Sequence, residues 1–113
     1  MWTSVIKKTL PVAVASLCFG LAVSSTQAVQ TRGSRSCGIW INSKGGPQEV
    51  ANETWFIGYL SGIAVASNKD FLHGTDNESL YLWLDNYCTR NPLKRIANGG
   101  NSLFLELAEQ KRL

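Results

Sequence analysis

Apolar residues fall into four main blocks along this chain, separated by polar stretches rich in Gly, Asn and Asp. The first block runs from Leu10 to about Val23 and is interrupted by Pro11 and Gly20. The other three have helical spacing. Between about Gln48 and Ser67, Trp55, Tyr59, Gly62, Ile63 and Ala66 share one face of a helix, and Phe56 and Leu60 widen it. So broad an apolar face predicts the central, most buried helix. Gly58 and Gly62 on it predict close packing by a neighbouring helix. The next helix is predicted from Asp76 or Asn77, either of which can cap it, with Glu78 in its first turn. Leu80, Trp83, Leu84, Tyr87 and Cys88 form its stripe, and Asp85, Asn86 and Thr89 its polar face.

Pro92 disfavours helical geometry at Asn91, so that helix stops near Arg90. The same pair predicts the start of the last helix, with Asn91 as N-cap and Pro92 at the first helical position. Leu93, Ile96, Ala97, Gly100, Leu103, Phe104 and Leu107 make its stripe. Gly99 and Gly100 each cost about 1 kcal/mol against Ala within a helix. The stripe keeps its phase across them, which predicts a large neighbour such as Trp83 or Trp55 seated there.

The segments between are less regular. Cys37–Asn42 is apolar and carries Trp40, but it is too short for periodicity to separate a helical turn from a strand. Ser43–Pro47 and Asn68–Thr75 read as loops, and Val29–Ser36 as a flexible tail. No segment alternates with period two, and no repeat is evident. The fold class expected is therefore all-α, a small bundle of three to four helices over residues 37–113.

The first block reads differently. Lys7 and Lys8 precede it, a polar stretch ending at Ala28 follows, and at about 14 residues it is short of the roughly 20 needed to span a membrane. Residues 1–28 are therefore expected to be a cleaved export signal, with Thr26 and Ala28 at the −3 and −1 positions. Cys18 follows Leu17, whereas lipoprotein processing requires a small residue there, so Cys18 reads as part of the signal core. Removing 28 of the 113 residues leaves 85, and the formal charge of +3 falls to about +1 as Lys7 and Lys8 leave. That length excludes a second domain or a dinucleotide-binding unit. That net charge gives no footprint for nucleic acid. Cys37 and Cys88 remain, and two Cys in a small exported chain predict one disulfide, which stabilises by about 4 kcal/mol in the loop-entropy model.

Little catalytic chemistry is legible. His73 and Asp76 could form an acid–base pair, but no nucleophile accompanies them. His73 reads as a solvated loop residue with pH sensing or partner contact as its functional alternative. One His and no close Cys cluster predict no metal, and nothing suggests a cofactor. The carboxylates read as solvated helix faces, and Lys111 and Arg112 as complements to a helix dipole. The chain is expected not to be an enzyme. Exposed aromatics would mark a binding face, and the candidates are Trp40, Trp55, Phe56, Tyr59, Trp83 and Tyr87.

The run Tyr87-Cys88-Thr89-Arg90-Asn91-Pro92, followed by Ile96, resembles the HdeA/HdeB family of small periplasmic proteins. Cys37 followed by Ile39, Trp40 and Ile41 is similar to that family's early Cys segment. The resemblance implies a periplasmic helical domain bridged between the two Cys, dimeric at neutral pH, that opens in acid and binds unfolding client proteins. With carboxylates protonated, the mature chain would carry about +11, and self-repulsion would favour opening. The middle departs from that family. Its Gly58-Tyr59-Leu60-Ser61-Gly62 run resembles Tai-type periplasmic immunity proteins, which implies instead one tight effector partner. Those proteins usually carry further Cys, which this chain lacks. An unrelated envelope role is the third reading. All three expect protein partners, no nucleic acid, and no membrane association after signal cleavage.

Overall fold

The computed structural model describes residues 29–113; the expected signal segment and its cleavage position lie outside them. Four helices form: α1 (Cys37–Asn42), α2 (Glu49–Ser67), α3 (Asn77–Arg90) and α4 (Ile96–Gln110). A disulfide joins Cys37 to Cys88. The fold is thus an all-α bundle with a disulfide staple.

Local chemistry explains three of the helix ends. Ser36 caps α1, its hydroxyl accepting the Ile39 N–H, so Cys37–Asn42 is helical. Asp76, not Asn77, caps α3 by accepting the Ser79 N–H at 2.8 Å. The hydrogen bonds from Ser79 hold the Asp76 carboxyl below its ordinary range. At the end of α2, Asn68 turns the chain in the left-handed region, φ 53°.

The start of α4 is a correction. Pro92 was expected to open the helix, yet it begins at Ile96. Pro92 and Leu93 instead form a turn, and residues 94–96 pair through the backbone with residues 35–37. The Cys37 N–H donates to the Lys94 carbonyl at 2.8 Å, and the Ile96 N–H to the Arg35 carbonyl at 2.9 Å. Ser36 and Arg95 thereby form an isolated antiparallel bridge. Starting α4 at Pro92 would break this pairing. Arg95 offers no side-chain acceptor to the first turn of α4. The buried Ser34 hydroxyl serves in its place, accepting the Ala97 N–H at 3.3 Å.

Residues 29–36 are therefore not the free tail expected. From Arg32 onward they are tied down, by the Trp55 indole N–H on the Arg32 carbonyl and the Arg95 guanidinium on the Ser34 carbonyl.

Helix α4 packs against both α2 and α3, and α1 covers α3. Trp40, Phe56, Leu60, Phe71, Leu84 and Ile96 form the core beside the disulfide. The central helix is α4, with six buried residues against three on α2, which corrects the expectation for α2. The buried row of α2 is Asn52, Phe56 and Leu60; Gly62 and Ala66 are exposed. Asn52 is satisfied by donating to the Ser43 hydroxyl at 2.9 Å. No neighbour lies within 4 Å of where a side chain would stand on Gly58 or Gly62, so neither serves helix packing here.

Candidate functional site

Two of the six aromatic candidates belong to the core. Trp40 is 1% exposed and Phe56 fully buried, their rings edge-to-face at 5.8 Å. The Trp40 indole N–H donates to Asp85 at 2.7 Å, and Lys44 sits 4.3 Å above the ring while pairing with Asp85 at 3.0 Å. No partner can reach these two rings while the bundle is closed.

The other four are half-buried and come together around α4. Trp55 and Tyr59 stack at 5.0 Å on α2, and Trp83 and Tyr87 at 5.4 Å on α3. Spacing of four residues on a helix puts each pair on one face. The tyrosine of each pair meets α4 where it has no side chains. A side chain on Gly100 would strike Tyr59, and one on Gly99 would strike Leu84 and Tyr87. The Gly99–Gly100 notch therefore admits aromatic neighbours as expected. They are Tyr59, Phe56 and Tyr87, however, and not a tryptophan. Gly100→Ala would place a methyl 2.8 and 2.9 Å from Tyr59 ring carbons. Overpacking of about 1–3 kcal/mol outweighs the roughly 1 kcal/mol gained in helix propensity. The expected outcome is a lower urea midpoint; a higher one would mean that the ring moves aside freely.

Hydrogen bonds hold the rims of this cluster. The Tyr59 hydroxyl donates to the Asn101 side chain at 2.7 Å, and the Trp83 indole N–H to the Glu106 carboxylate. Trp83 and Glu106 also line a cleft of about 190 Å³ between α3 and α4. A wider cleft of about 640 Å³ lies between residues 29–31 and Tyr59, Arg95 and Asn98. Sequence reasoning grouped Asp85 and Glu106 with solvated carboxylates and missed their role as indole acceptors. Neither spacing nor composition carries that signal, because each pairing links residues on different helices.

His73 stands apart, its side chain 85% exposed, with Asp70 as its charged neighbour at 3.8 Å. Among the described residues no group of His, Cys, Asp and Glu could hold a metal ion. Burial, then the charge of Glu49, raises the Glu53 carboxyl above its ordinary range. No described helix is long and apolar enough to cross a membrane. Compared with known proteins, the chain matches no family model, no curated protein and no solved structure.

Proposed function

We propose that this chain is an exported periplasmic protein that binds other proteins, of the acid-stress chaperone kind suggested by its resemblance to the HdeA/HdeB family. In this reading it is a binder and not an enzyme. The supporting observation is the seam between α3 and α4. The disulfide cross-links α1 to α3, whereas α4 is joined to the rest through the chain alone, without a cross-link of its own. Across the seam the Trp83 indole donates to Glu106, and α4 covers Tyr59 and Tyr87. The negative charge of Glu106 makes this a charge-assisted hydrogen bond, stronger than one to a neutral acceptor. Movement of α4 would uncover the two aromatic pairs as client-binding surface.

Other carboxylates act in acid with opposite signs. Asp76 titrates below its ordinary range, so its cap supports the fold at higher pH and is lost as pH falls through the folded value. Glu53 titrates above its ordinary range, so its protonation relieves the fold instead. The Asp76 cap opens α3, so acid is expected to loosen that helix and its seam with α4.

The test is sedimentation of the oxidised protein at pH 7 and pH 3, with apolar-dye fluorescence and a client-aggregation assay. Expected are opening and dye binding at pH 3, suppressed client aggregation, and opening at higher pH in Glu106→Gln. A compact species at both pH values that binds no dye would overturn the reading and favour a search for one tight effector.

A further inference from the structure

The carboxylates of this chain are unevenly placed. None lies in residues 29–48 or 86–105, although these stretches carry Arg32, Arg35, Lys44, Arg90, Lys94 and Arg95. The fold brings the two acid-free stretches together, through the disulfide and through the backbone bonds that tie Cys37 to Lys94 and Ile96 to Arg35. Arg32, Arg35, Arg90, Lys94 and Arg95 are all exposed. The ion pairs among the described residues are Lys44–Asp85 and His73–Asp70, so none of these five cations has a carboxylate partner. Between Arg90 and Lys94 the chain turns through Pro92 and Leu93, and Leu93 is 97% exposed, the most exposed large apolar side chain described. At this end of the bundle Arg35, Lys94 and Arg95 therefore lie together along the backbone pairing, Arg90 ends α3, and Leu93 projects between them in the chain, while Arg32 sits farther along, against Trp55 of α2.

We propose that this end adsorbs to the surface of an anionic lipid bilayer, with Leu93 entering the headgroup–acyl boundary and the surrounding cations resting on lipid phosphates. This inference does not rest on the chaperone reading, and it departs from the expectation that the exported chain does not associate with membranes. Arg and Lys beside a projecting apolar side chain suit such a surface, because their stems lie along the apolar layer while the charges stay among phosphates. The geometry favours a bilayer over an acidic protein. Leu93 projects almost wholly into solvent, and a fluid lipid surface accepts it without a matching pocket. The attraction also needs no net charge on the whole molecule, since cations within a Debye length of the surface dominate it.

The test is co-sedimentation of the oxidised protein, as purified from cells with its mass recorded, with phosphatidylglycerol–phosphatidylcholine vesicles and with pure phosphatidylcholine vesicles. Binding is expected to the anionic vesicles and to fall steeply with added salt. Leu93→Ala is expected to weaken it about tenfold. Arg90→Gln and Lys94→Gln are each expected to weaken it about fivefold. Leu82→Ala, an equivalent change at an exposed leucine on the body of α3, should leave it unchanged. Helical circular dichroism of each variant checks the fold. Equal binding to neutral vesicles, or an unchanged Leu93→Ala, would overturn the proposal. Binding to polyglutamate with none to anionic vesicles would overturn it in favour of an acidic protein partner.

Discussion

Trp40→Ala is expected to remove about 4 kcal/mol of stability, a large share of what a domain of this size possesses. Three losses combine. The cavity left among Phe56, Tyr81 and the disulfide cannot collapse easily, because rings and a covalent bond frame it. The indole N–H that ties α1 to Asp85 on α3 disappears. Lys44 also loses the ring beneath it, although its ion pair with Asp85 survives. Urea unfolding of the oxidised protein, followed by helical circular dichroism, checks the value. If the alanine variant does not fold, Trp40→Phe provides the measurement, since it keeps most of the volume and loses the N–H. It is expected to cost about 1–2 kcal/mol. A cost for Trp40→Ala below about 1 kcal/mol would mean that α1 contributes little to the core.

Breaking the disulfide is expected to have an effect of similar size. The bond spans 51 residues, for which the loop-entropy model gives about 4 kcal/mol. In a domain of this length each kcal/mol moves the melting temperature by about 4–8 °C, so reduction should lower it by roughly 15–30 °C. Thermal melts with and without reductant measure this, and a Cys37→Ser/Cys88→Ser double variant repeats it without the reagent. A shift below about 5 °C would indicate that the reduced unfolded chain already keeps the two cysteines near each other.

The sequence pattern made α2 and α3 legible, and the ends of α3 are decided locally. Asp76 before Glu78, and Pro92 after Arg90, bound α3 through neighbours a few residues away. The paired Cys were legible from counting alone. Three features were not. Apolar residues on α2 run nearly all the way round, so Val50 and Val65 are exposed while Phe56 and Leu60 are buried. Periodicity cannot identify the inner face of such a helix. The start of α4 obeys a backbone pairing with residues about sixty positions earlier, which overrides the local preference of Pro92 for opening a helix. Ser34, in a stretch whose composition reads as loop, is buried because α4 needs its hydroxyl.

The candidate site was half legible. Trp55 with Tyr59, and Trp83 with Tyr87, could be paired from their spacing, and the glycine pair announced a close neighbour. Which rings enter the notch depends on how the helices are set against one another. The cationic end was hidden for another reason. A net charge near zero sums over the whole chain and erases the separation of acid-free stretches from the acidic remainder.

The bond between Cys37 and Cys88 also sets the reach of the chain once its helices have come apart. The described residues alone, stretched as a linear chain, would extend to about 300 Å. With the sulfurs joined, everything between the two cysteines drops out of the path between the ends, and that span shrinks to about 120 Å. An oxidised chain can thus lose its packing entirely and still remain a closed loop with two short arms.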